Sequence, residues 1–143
     1  MSQQPKKTIQ SRADIEVIIK DFYAKMLQDP IVGFIFVDVA KIDLDSHIPL
    51  IVDFWSDIVF KQLADNKAKL YQGNVLKKHL EINQLVSLKA GHFTRWLYLF
   101  EQSIDTAFTG DNADLMKYRA HLVADSINAA IDKRKKGEIQ LSL

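Results

Sequence analysis

The strongest constraint on this 143-residue chain is an apolar stripe of helical period near its start. Ile15, Ile18, Ile19, Phe22, Tyr23 and Met26 share one face of an α-helix, whereas a strand would scatter them over both faces of a sheet. Ser11 is the N-cap candidate, with Asp14 at the positive end of the dipole, and Asp29-Pro30 stops the pattern.

The same period returns three times. His47, Ile51, Phe54 and Ile58, widened by Val52 and Trp55, form the stripe of a second helix expected from about residue 45 to about Leu63. Pro49 should lie in its first turn, where a missing N–H has no acceptor to lose, with Asp43, Asp45 and Ser46 as capping candidates. Ser87 is expected to cap a third helix with the stripe Phe93, Trp96, Leu97, Phe100, Ile104 and Phe108, stopped by Gly110. A fourth runs from about Asn112 to Lys136, with Arg134, Lys135 and Lys136 at its negative end and Gly137 after it. Ile31 to Phe36 reads as a turn or short helix, and Asp65 to Gly73 as a loop. Asn74 to Leu80 reads as a short helix that needs something to pack on. Five glycines, three prolines and no Asn-Gly or Asp-Gly turn leave little room for hairpins. The expectation is an all-α chain with one core: a flexible tail over 1–10, a domain over 11–136 and a second tail over 137–143.

Composition removes several functions. Nineteen basic against eighteen acidic residues give a net charge of +1, no basis for binding nucleic acid or an anionic membrane. No run of about 18 apolar residues suggests a membrane span, and the N-terminus does not read as a secretory signal, so a cytoplasmic location is expected. The absence of cysteine excludes disulfides, thiolate metal sites and covalent haem attachment.

Four histidines, at 47, 79, 92 and 121, are the candidates for chemistry near neutral pH. His92 and His121 read as surface or capping residues. His47 lies on an apolar stripe, where a neutral core histidine bonded to a neighbour is the simpler account. Tyr23 and Trp96 also carry polar tips on core-facing stripes, so three donor-capable groups on three helices either satisfy one another or surround a cavity. His79 sits on the short helix that needs a packing partner. A lone histidine is a poor zinc site but suffices for haem, whose porphyrin supplies four nitrogens.

The segment His47-Ile48-Pro49-Leu50-Ile51-Val52-Asp53-Phe54-Trp55, followed by Tyr71-Gln72-Gly73-Asn74-Val75-Leu76-Lys77-Lys78-His79-Leu80, resembles the group III (P-type) truncated haemoglobins. The resemblance reaches back through Phe22-Tyr23 and Asp29 to Phe36, and forward through His92-Phe93-Thr94-Arg95-Trp96 to Phe100. It covers roughly residues 11–132, and the lack of a Gly-Gly pair agrees with that group. It implies a truncated globin fold, a two-over-two helical sandwich around non-covalent haem b. His79 becomes the proximal iron ligand, and Tyr23, His47 and Trp96 the distal residues. Phe36 packs on the porphyrin, and Ile51, Phe54, Tyr71, Leu76 and Phe93 complete the cofactor-binding set. Phe34 stands where the family has proline, Leu44 where tryptophan is common, and Leu50 where some relatives are basic. Lys77, Lys78 and Arg95 are the alternative partners for the haem propionates, or simply solvated surface charges.

Three function classes follow. One is a haem protein that reversibly binds dioxygen, nitric oxide or carbon monoxide, as a monomer or weak dimer. Another is an enzyme, peroxidase-like or a nitric oxide dioxygenase, which needs a reductase that the chain does not contain. The third is a haem-free helical interaction module whose inward polar groups only satisfy each other.

Overall fold

The stripe on residues 15–26 becomes a helix with every one of its six members buried. In the computed structural model the described residues are 5–35, 43–60, 75–85 and 88–135, with the backbone alone at 75–76, 84–85 and 134–135. They form α1 (Arg12–Gln28), α2 (Leu44–Val59), α3 (Val75–Leu85), α4 (Ala90–Asp105) and α5 (Asp111–Lys135). Among the described residues the extended contact is an isolated parallel bridge between Lys7 and Phe108. The architecture is all-α.

Local chemistry sets the ends of α1. The Asp14 carboxylate accepts from the N–H groups of Gln10 and Ser11 at 2.8 and 3.3 Å, satisfying donors at the N-terminus. Pro30 follows the Asp29 C-cap, and the chain turns before a helical stretch at 33–35. Gly33 is required there: a Cβ would lie 3.0 Å from the carbonyl oxygens of both Met26 and Leu27.

Helix α1 packs on α2 and α4 on α5, and the two pairs meet through α1 on α4 and α2 on α5. Helix α3 packs chiefly on α5. The apolar interior is correspondingly divided. One cluster joins α1, α2, α4 and the start of α5 through Ile18, Phe22, Val52, Trp55, Phe100 and Met116. The other joins α3 to the far end of α5 through Leu80, Leu88, Ile127 and Ile131, with Ile35 and half-buried Phe93. Among the described residues, the single core expected from the sequence falls into two clusters.

Several boundaries differ from expectation. Helix α2 starts at Leu44, so Pro49 stands in its second turn and removes a donor there. Helix α3 continues five residues past Leu80. Ser87 lies outside the described residues, and the N-cap of α4 is Lys89. Helix α4 ends at Asp105, before the expected stop; Phe108 is buried after it, and Gly110 turns the chain at φ +98°. The tail over 1–10 is not flexible throughout. Lys7 donates to Ala107 O at 2.9 Å, its carbonyl accepts from Thr109 at 2.8 Å, and Asn112 donates to Ile9 O at 2.8 Å. Ile9 itself is buried, and burial of its side chain contributes about 2 kcal/mol toward holding this segment down.

Candidate functional site

Helix α2 is apolar on two faces, one buried and the other half-buried. Val52, Trp55, Ser56 and Val59 are buried against the other helices. His47, Ile51, Phe54 and Ile58, expected as the core stripe, are only half-buried, as is Ile48. Helix α4 repeats the arrangement. Leu99, Phe100, Ser103 and Ile104 are buried, while Phe93, Trp96 and Leu97 are half-buried. Phe93 belongs with the α3 cluster and Trp96 with the other, so α4 spans the division. Periodicity marks both faces as apolar but does not say which one the protein covers.

His47 accepts or donates a 2.7 Å hydrogen bond between its Nε2 and the Tyr23 hydroxyl, with the rings edge to face. Burial pushes the Tyr23 phenol well above its usual range, so it stays protonated. Burial also holds His47 below its usual 6.5, and the nearby charges of His79 and Lys78 act in the same direction. That influence brings His79, half-buried on α3, into electrostatic reach of His47 on α2 across the division between the clusters. Trp96 lies parallel to Phe100, 7° between planes and 5.3 Å between centroids, and meets Phe22 edge-on at 5.7 Å. Its indole N–H has no hydrogen-bond acceptor among the described residues. Tyr23 and Trp96 thus share Phe22 as a neighbour, the Tyr23 ring meeting it at 5.3 Å.

Of the expected site residues, Tyr23, His47, Ile51, Phe54, His79, Phe93 and Trp96 have described side chains. All of them except buried Tyr23 are half-buried. Phe36 and Tyr71 lie outside the described residues, as does the side chain of Leu76. His92 is a cap, its Nδ1 accepting the Lys89 N–H at 3.0 Å, and His121 is an exposed partner of Glu101 at 2.7 Å. Arg95, one of the alternative propionate partners, is instead committed to Asp29 through Nε at 2.8 Å and Nη2 at 2.7 Å. Sequence reading missed Asp29 as more than a helix stop. Lys77 and Lys78 remain exposed beside His79.

The donor set would suit a flat cofactor held through one histidine nitrogen. It consists of a histidine on a helix with a single main packing partner, together with half-buried apolar and aromatic side chains on two other helices. Among the described residues there is no group of three or more metal-ligating side chains. No described helix is long and apolar enough to cross a membrane.

No family model matches the chain. The group 3 truncated hemoglobin ctb of Campylobacter jejuni is 26% identical to it over 117 residues, which cover 80% of this chain and 85% of that protein. The crystal structure of the group III truncated hemoglobin from Campylobacter jejuni superposes with a TM-score of 0.73 at 25% identity, covering 89% of this chain and 95% of that one. In sequence and in fold alike, the chain is similar to the group III truncated haemoglobins, and the five helices among the described residues make a truncated globin fold.

Proposed function

We propose that this chain, over residues 11–136, is a globin-type haem protein that reversibly binds a diatomic ligand. The observation that carries the reading is the half-buried apolar stripe of α2, on which His47 feels the charge of His79 from the helix that packs on α5. The apolar stripe of α1 is buried throughout, whereas Ile51, Phe54, Phe93 and Trp96 are half-buried, which suits completion by another apolar surface.

In this reading haem b would be held non-covalently by His79 through its iron, with Ile51, Phe54 and Phe93 supplying apolar surface for it; Phe36, Tyr71 and Leu76 belong to the same proposed set. The group supplies an iron that can take dioxygen, nitric oxide or carbon monoxide. The chain supplies the surroundings. Tyr23 and neutral His47 carry one exchangeable proton each, and one of the two lies in the bond between them. When His47 carries its proton on Nε2 it donates to the phenol oxygen, and the Tyr23 O–H would be directed away from His47. When the proton is on Nδ1, Tyr23 donates to His47 instead. The Trp96 N–H is a second donor, uncommitted within the described residues. Two such donors slow ligand loss by about a hundredfold, since each 1.4 kcal/mol is a factor of ten.

Retention of that strength favours chemistry on a held ligand, with nitric oxide or peroxide as substrate and a separate reductase as partner, over simple oxygen delivery. A cytoplasmic location and a monomeric or weakly dimeric state belong to the same proposal. The Tyr23–His47 bond also suits the haem-free interaction module, in which the inward groups satisfy each other. The Trp96 N–H, which has no acceptor among the described residues, argues against that alternative. Haem titration of the purified chain decides: a Soret band should form and should be lost or displaced by His79→Ala. No band, or one indifferent to that substitution, overturns the proposal.

A further inference from the structure

We propose that Asp29 is a positioning residue for Trp96, acting through Arg95. The inference rests on the reading above, in which Trp96 offers its N–H to the ligand. Asp29 follows α1 directly, and its side chain is only 2% exposed. Its two oxygens have separate tasks. Oδ2 accepts from the backbone N–H groups of Ile31 and Val32 at 3.0 and 3.1 Å, which fixes the carboxylate to the turn after α1. Oδ1 accepts from Nε and Nη2 of Arg95 at 2.8 and 2.7 Å. On α4 the guanidinium also lies over the Tyr98 ring, 5.1 Å from its centroid. Arg95 is therefore held from two sides, by an acceptor in the turn after α1 and by a ring on its own helix.

Trp96 is the next residue, about 100° further round a rigid helix, so pinning Arg95 sets the angle at which the indole leaves α4. The other hold of α1 on Trp96 and its stacking partner is Phe22, whose ring meets Trp96 and Phe100 edge-on at 5.7 and 5.1 Å. Ring contacts of that kind tolerate a small rotation. The charge-assisted pair does not, because its geometry is directional and the carboxylate is buried. Asp29 and Arg95 are 66 positions apart, so this coupling joins the end of α1 to the donor face of α4.

The test compares two indoles. In ¹⁵N-labelled protein, Asp29→Asn should displace and broaden the Trp96 N–H resonance while leaving that of Trp55, which sits in the same aromatic cluster on α2, in place. Arg95→Lys, which keeps the charge and loses the fork, should do the same to a lesser degree and guards against an unfolded Asp29 variant. In haem-loaded protein, Trp96→Phe should speed dioxygen release about tenfold in the parent and no more than about twofold in the Asp29→Asn background. Equal displacement of both indoles, displacement of neither, or the same release factor in both backgrounds would overturn the proposal. A missing Soret band would sink the proposed function instead, and the indole comparison on the chain without haem would still decide the role of Asp29.

Discussion

Tyr23 and His47 show how much one contact can carry. Removing the phenol oxygen leaves His47 Nε2 half-buried without its partner, so Tyr23→Phe should cost about 1 kcal/mol of stability by thermal melt. In the haem-loaded protein it should also speed dioxygen release about tenfold, and an unchanged release rate in stopped flow would remove Tyr23 from the donor set. Asp29 carries a pH signature. Burial alone would raise its carboxyl, but the Arg95 hydrogen bond and the N–H groups of Val32 and Ile31 outweigh it, so the group lies below its usual 3.8. A depressed carboxyl contributes its stability above the unfolded value and loses it as pH falls through the folded one. Stability attributable to Asp29 should therefore be complete above about pH 4 and fade below it. Asp29→Asn should be less stable at neutral pH and flatter in denaturant titrations between about pH 4 and 2; a parallel slope in both proteins would contradict this.

At the scale of elements, α2 contains its own weak point. Pro49 lies in the second turn, where its lack of an N–H leaves the Asp45 carbonyl without its usual intrahelical donor. The turn is held from outside instead: Arg12 pairs with Asp53 at 2.5 Å and reaches Pro49 O at 3.4 Å, and Asp43 accepts the Asp45 N–H at 3.2 Å. Pro49→Ala should restore the helical bond and raise stability by about 1 kcal/mol or more, seen as a melting temperature higher by about 3 °C. Unchanged or lower melting would mean that the proline is compensated fully by these contacts. Legibility in the sequence divides along the same line. All six members of the α1 stripe are buried because that helix has one apolar face and two neighbours to cover it. In α2 the stripe through His47 and the face through Trp55 look equally apolar, and periodicity cannot say that only the second is covered. The resemblance groups His47, Tyr23 and Trp96, and the Tyr23 hydroxyl lies 2.7 Å from His47 Nε2. The Asp29–Arg95 pair was illegible because nothing local to either residue names a partner 66 positions away.

Across the whole molecule, α3 is attached on one side. Its principal neighbour is α5, and its cluster is separate from the one that unites the other helices. If haem completes the space between the clusters, its removal should loosen α3 first. Amide exchange around His79 should accelerate in the haem-free chain while exchange over Ile15–Met26 of α1 changes little. Uniform acceleration along the chain would mean that the two clusters open together.

The contact between residues 7–9 and the turn at Phe108 to Asn112 has a kinetic meaning. Asn112 and Ile9 are 103 positions apart, so their bond closes a ring through most of the chain. Closure of so long a ring requires the rest of the fold to have brought its ends together, which makes this strap a late arrival on the folding pathway. An interaction absent from the transition state slows the escape from the native state without hastening its formation. The segment that sequence reads as a flexible tail should thereby act as a brake on unfolding: removing residues 5–9 should speed unfolding and leave the folding rate nearly unchanged.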